Sequence, residues 1–103
     1  MPVWTVDTWR IRPGTEAHFL GHCGALNPNL LALYRDLEEP GLFWSPAKWK
    51  SLEELNEWRT GAPFRAAVRA LEEDLLDHQT HVMTDVPGFP PQASRDQTPQ
   101  TAR

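Results

Sequence analysis

Residues 42–71 read LFWSPAKWKSLEELNEWRTGAPFRAAVRAL, and within this stretch the apolar spacing changes from that of a strand to that of a helix. Leu42 to Trp49 is rich in aromatic and apolar residues and predicts a strand. Pro46 lies inside it and must occupy an edge, a bulge or a position that needs no ladder donor. Ser51-Leu52-Glu53-Glu54 is a capping-box sequence, so a short helix is expected to about Arg59. Thr60-Gly61 interrupts it, and Pro63 suits the first turn of the next helix. Phe64, Ala67, Val68, Leu71 and Leu75 then form an i, i+3, i+4, i+7, i+11 stripe. Arg65, Arg69 and Glu73 follow one another on the opposite, solvated side.

The flanks complete the pattern. Residues 3–11, Val-Trp-Thr-Val-Asp-Thr-Trp-Arg-Ile, predict a first strand with Val3, Thr5, Asp7, Trp9 and Ile11 on one face and Trp4, Val6, Thr8 and Arg10 on the other. Both faces are partly apolar, as for a sheet with helices on one side and a partner on the other. Pro13-Gly14 breaks the strand, and a helix should run from Gly14 or Thr15 to about Gly24, with Phe19, Leu20 and Cys23 as its apolar stripe. Leu30 to Leu37 predicts a second strand, joined to the third through the turn Glu38-Glu39-Pro40-Gly41. Thr80 to Val86 predicts a fourth. The order β-α-β-β-α-β, with the second helix broken at Gly61, is the split βαβ arrangement of ferredoxin-like α+β domains with an antiparallel sheet. Such a domain leaves one sheet face without helices, and self-association is the natural way to cover it.

Composition limits what such a domain can do. One domain fits in 103 residues. A chain of this size buries roughly two-thirds of its unfolded surface, which leaves little for a deep cavity unless two copies share one. A net charge of −4 and scattered basic residues argue against nucleic acid. No apolar run reaches the roughly 18 residues of a membrane span. The start, Met1-Pro2-Val3-Trp4, has no signal-peptide character, and Cys23 is the only cysteine; both point to the cytoplasm. Five Trp residues are many for this length, and they imply an aromatic core, pocket or interface. The domain proper should occupy residues 1–86. From 87 to 103 the chain becomes a Pro- and Gln-rich tail with one large apolar residue, Phe89, suited to an extended strap.

Three phrases carry a family resemblance: Arg12-Pro13-Gly14-Thr15-Glu16, Trp49-Lys50-Ser51-Leu52-Glu53-Glu54-Leu55, and Trp58 followed by Phe64. Together they resemble the antibiotic biosynthesis monooxygenase superfamily over about residues 3–86. The resemblance implies a dimeric α/β barrel. It also implies a small-molecule monooxygenase acting on an aromatic or polycyclic substrate without metal or flavin, by deprotonation and direct reaction with oxygen. The alternative is a non-catalytic ligand-binding or accessory dimer that carries a metabolite or haem. In the haem-degrading branch of the superfamily, Asp7 takes the place of an Asn, Trp58 keeps a Trp, and Val68 falls where the iron-binding His is expected. Val has no electron pair to offer iron, so haem is not the expected cofactor. In the quinone-forming branch Trp58 is again retained, and Glu54 stands one turn before it where an Asn is expected.

Each candidate side chain has two readings. Trp58 is either a stacking wall with its N–H near a developing oxyanion or a core residue in series with Leu52 and Leu55. Asp7, mid-strand among apolar neighbours, is either a general base raised in pKa by its surroundings or the partner of Arg10 or Arg35. His81 alternates with Met83 and Asp85, so it is either a proton carrier facing a pocket or a strand-end His. Trp44, with Phe43, Trp49, Trp4 and Trp9, lines either a flat aromatic pocket or a dimer core. Tyr34 and Arg35 either orient a phenol or carboxylate or pair along the ladder. Catalytic roles are therefore expected for Asp7, His81 and Trp58, and substrate binding for Trp44, Arg35, Glu54 and Tyr34. His18 and His22 have zinc spacing but no third ligand nearby, and no metal is expected.

Overall fold

The computed structural model describes residues 2–89. The tail expected from residue 87 therefore falls, from residue 90 onward, outside the described residues. Four strands form one antiparallel sheet: β1 (Val3–Ile11), β2 (Tyr34–Arg35), β3 (Leu42–Trp49) and β4 (Leu75–Met83), in the order β2-β3-β1-β4. Three helices, α1 (Glu16–His22), α2 (Leu52–Arg59) and α3 (Ala62–Leu71), connect them, and a 3-10 turn (Cys23–Leu26) extends α1. This is the ferredoxin-like α+β arrangement. The sheet of one chain is open, so a closed barrel cannot be built from it alone.

The alternation in β1 sets the layers. Val3, Thr5, Asp7, Trp9 and Ile11 are all buried, whereas Trp4, Val6, Thr8 and Arg10 are only partly covered. Register carries this division across the sheet, because side chains directly opposite share a face. Asp7 faces Ser45 on β3 and Thr80 on β4; Trp9 faces Phe43 and His78. Two apolar clusters cover the inner face. Trp9, Ile11, Phe19, Cys23, Leu26, Phe43 and Leu71 form one, with Val68 and Leu75 packed against it. Val3, Ala47, Trp49 and Leu55 form the other, with Trp58 against it. The inner-face polar groups satisfy the buried indoles: Trp9 donates to Ser45 Oγ at 2.9 Å and Trp49 to Thr5 Oγ1 at 3.1 Å.

Three elements differ from expectation. The first helix gives way to the 3-10 turn at Cys23. The second strand shrinks from the expected 30–37 to two residues plus an isolated bridge from Leu30 to Ala47. Pro46 explains much of this. The N–H and C=O of an extended residue point to the same side, and the Pro46 carbonyl accepts from Leu31 N at 2.9 Å. Its missing donor therefore faces the β2 side, where a continuous ladder cannot form, and pairing with β1 loses nothing. The fourth strand starts at Leu75 rather than Thr80. Glu72, Glu73 and Asp74 place three negative charges at the α3 C-terminus, which disfavours continuation. Leu75 keeps helical spacing with Leu71 by coincidence and enters the core from a strand instead.

Candidate active site

A cavity of about 160 Å³ opens on the inner face where the two apolar clusters meet. Asp7 and Thr5 of β1 form part of its wall, with His78 and Thr80 of β4, Trp58 and Arg59 of α2, and Phe64 of α3. Asn27, Leu26, Trp49 and Leu55 complete it.

Asp7 is the group with most chemistry. It is only 9 % exposed. Thr80 Oγ1 donates to its Oδ1 at 2.5 Å, and His78 Nε2 lies 3.3 Å from the same oxygen. Thr80 has one proton and gives it to Asp7, so its oxygen is free to accept from His78 Nε2, also at 3.3 Å. The network thus assigns the His78 proton to Nε2 and leaves Nδ1 with a lone pair in the neutral ring. His78 also stacks on Trp9, with centroids 3.8 Å apart and planes 3° from parallel, which fixes the plane of the imidazole. Oδ2 of Asp7 has no partner among the described residues. A carboxylate oriented against an imidazole beside an aromatic cavity can accept a proton from an acidic ligand.

Trp58 is half-buried and meets Phe64 edge to face, centroids 6.2 Å apart. Its Nε1 donates to the Leu26 carbonyl at 3.0 Å. The N–H expected near an oxyanion is thus committed to the backbone, and the ring contributes a wall. α2 places it because the helix starts sharply: Ser51 Oγ accepts from Glu54 N at 3.1 Å, and Glu54 Oε1 accepts from Lys50 N at 2.7 Å. Glu54 is occupied by this cap and does not line the cavity.

The remaining sequence candidates lie elsewhere. His81 faces Val6 on the helix-free face, beside a shallow depression of about 680 Å³ that Trp44 and Met83 also line. Tyr34 stands opposite Trp44 on that face and is 59 % exposed. Arg35 pairs with Glu16 and lies over the Phe43 ring, 5.4 Å from its centroid. Arg10, considered as a partner for Asp7, points to the opposite face and binds Glu39 and Asp77. Its guanidinium holds the Glu39 carboxyl below the usual range. Of the expected set, Asp7 and Trp58 share one cavity.

Sequence reading gave the pocket-facing role to His81 rather than to the neighbouring His78, and it missed Thr80, Asn27 and Arg59 as lining residues. A strand drawn from Leu75 would have placed Thr80 opposite Asp7. Nothing in the sequence marks Asn27, which looks like a helix stop. Among the described residues no three His, Cys, Asp or Glu side chains converge as a metal would need. His18 binds Asp74, and His22 binds a backbone carbonyl. Val68 packs on the Phe19–Leu71 cluster. The cavity is smaller than the roughly 300–1,000 Å³ of sites that enclose drug-sized ligands.

A model of the family described as antibiotic biosynthesis monooxygenase matches residues 2–70. Among solved structures, a candidate antibiotic biosynthesis monooxygenase from Caulobacter crescentus is 20% identical with a TM-score of 0.72, covering 82% of this chain and 90% of its own. A second such candidate, from Bordetella bronchiseptica, is 20% identical at a TM-score of 0.70 over 82% of this chain and 97% of its own. One from Chloroflexus aurantiacus is 16% identical at a TM-score of 0.69 over 87% of this chain and 98% of its own. At these identities the likeness is one of fold. Among curated proteins none matches the chain.

Proposed function

Because the chain belongs to the antibiotic biosynthesis monooxygenase family, we propose that its inner cavity is a small-molecule site of monooxygenase type, using neither metal nor flavin. The observation that carries this is the buried Asp7 carboxylate, oriented by Thr80 and His78 and facing a cavity walled by Trp58. The Asp7–His78 pair takes the proton of an aromatic hydroxyl. The electron-rich anion passes one electron to dioxygen, the two radicals combine at a ring carbon, and the peroxide anion so formed takes back the proton held by the pair to become a hydroperoxide. Loss of water leaves a quinone. One oxygen atom enters the product, the other leaves as water, and the substrate supplies all four electrons. The protein contributes proton removal, a stacking surface and a site shielded from bulk water.

Two further parts belong to this reading. The protein acts as a homodimer, two copies covering each other's helix-free faces. It works in the cytoplasm, with which a single cysteine in the sequence agrees.

Oxygen uptake with a panel of hydroxylated aromatics tests the chemistry. Asp7→Asn should lower turnover by about 10²–10⁴-fold, the usual contribution of a positioned base. His78→Gln should lower it less, because the carboxylate remains. Turnover unchanged in Asp7→Asn would remove the base from the mechanism. Binding that depends on Trp58, with no oxygen consumed, would make the protein a ligand carrier instead.

A further inference from the structure

Asn27 has one half of its amide fixed and the other half unused. The residue is only 7 % exposed, and it lines the same cavity as Asp7 and Trp58. Its Oδ1 accepts from Asn29 N at 2.7 Å. A backbone N–H can only donate, so this bond settles which end of the amide is oxygen and which is nitrogen. The Nδ2 group, with two protons, then has no partner among the described residues, and it is not fully enclosed by protein atoms. A donor in this position is costly to leave unmatched in a dry site and valuable when an anion arrives.

Arg59 also lines the cavity, but it is exposed, with its Nε on Asn56 Oδ1. Of the buried polar groups, Thr5 accepts from Trp49 and keeps a hydroxyl proton, and the rest are engaged or are acceptors. Thr80 spends its proton on Asp7. Trp58 spends its N–H on Leu26, and Trp49 donates to Thr5. Asp7 can only accept while ionised. A ligand hydroxyl that gives its proton to the Asp7–His78 pair becomes an oxyanion beside a pair that is then neutral overall, and without a donor of its own it would take the proton back. Size limits the ligand further. About 150 Å³ of apolar cavity holds one benzene ring, and this one holds about 160 Å³.

We infer that Asn27 is the oxyanion donor of this site and that the cavity selects a single-ring phenol or enol, a narrower class than the polycyclic one. This rests on the inner cavity being the ligand site. The donor acts through Nδ2, with Oδ1 pinned by the Asn29 N–H, so the group is oriented before the ligand binds and loses little freedom on binding.

The test uses the full-length protein and three probes: para-nitrophenol, its methyl ether para-nitroanisole, and a nitronaphthol. Binding is read by Trp fluorescence, and ionisation by the nitrophenol absorption band. Para-nitrophenol should bind as its anion, at least about tenfold more tightly than the ether and more tightly than the two-ring analogue. Asn27→Asp keeps an oxygen for the Asn29 N–H but replaces the donor; it should weaken nitrophenol binding about ten- to a hundredfold and return its ionisation toward the free value. Nitrophenol binding that needs Trp58 but is unmoved in a folded Asn27→Asp protein would overturn the role of Asn27 and leave the pocket reading intact. Equal binding of the nitronaphthol would overturn the size limit. Should Asn27→Asp fail to fold, the comparison of phenol with ether on the unaltered protein decides: equal affinity sinks the oxyanion site. No binding of any probe would end both this inference and the ligand-site reading.

Discussion

Ser45 shows how much polar satisfaction matters at the level of a residue. Its hydroxyl takes the N–H of Trp9 in a place where Trp9 is 2 % and Ser45 4 % exposed. Ser45→Ala removes few atoms but strands a buried indole donor. It should cost about 1–3 kcal/mol, read as a lower urea midpoint with an unchanged slope. Cys23 is a second case. Burial pushes its thiol pKa up, which lowers the thiolate fraction at neutral pH, and only the thiolate attacks. The folded protein should therefore react with a thiol reagent at least about tenfold more slowly than the urea-unfolded chain. Comparable rates in the two states would show that the site opens on the timescale of the reaction. Asp7 was legible as a residue because a mid-strand carboxylate needs a reason. Its partners were not: Thr80 and His78 are 73 and 71 positions away, and only register brings them together.

At the scale of the element, local signals succeeded where one rule acted and failed where two competed. The capping box at Ser51, the break at Gly61 and the strand Leu42–Trp49 each rest on a single local rule, and each is present. At Leu75 two periods coincide: helical spacing from Leu71 and strand pairing with Ile11. Tertiary pairing won, which moved β4 back and brought His78 into play. The β2–β3 connection rests on Asp36, whose Oδ1 accepts from Glu38 N and Glu39 N, both at 2.8 Å, while Oδ2 accepts from Trp44 Nε1 at 3.0 Å. Gly41 closes the turn at φ +84°, where a Cβ would also stand 3.2 Å from the Ile11 carbonyl. The Glu38 N–H, then the Trp44 and Glu39 N–H groups, hold the Asp36 carboxyl below its usual range. A depressed carboxyl stabilises above its unfolded pKa and loses that contribution as pH falls through the folded value. Trp44 emission should therefore change in a step below the ordinary Asp range, while far-UV circular dichroism stays constant. In Asp36→Ala the step should vanish. Ser51→Ala tests the other end of the stretch: losing the cap should cost about 0.5–2 kcal/mol and weaken ligand binding by displacing Trp58.

For the whole molecule, what remains uncovered is informative. The helix-free face carries Trp4, Val6, Trp44, Pro46 and Met83 toward one end, and Arg10 with Asp77 toward the other. Trp44 and Met83 are 38 % and 43 % exposed, and Tyr34 extends the same patch. Lys48 partly shields Trp4, its Nζ 5.1 Å from the ring centroid. Yet Trp4 Nε1 is buried with no acceptor among the described residues, an arrangement native interiors avoid. A second copy related by a two-fold axis would lay one such face on another and could supply the acceptor. The interface must bury roughly 1,200–2,000 Å² in total to be stable, a large share of one face of so small a sheet. Sedimentation equilibrium should then give twice the chain mass at micromolar concentration. Val6 sits mid-face between Pro46 and His81. Val6→Lys would place two like charges across the axis without touching the inner core, so it should yield a folded monomer with native circular dichroism. The inner cavity is built from residues of one chain, so the monomer should still quench on binding nitrophenol. A monomer that folds but has lost binding would mean that the second copy shapes the cavity. A wild-type monomer would mean that this face serves another partner.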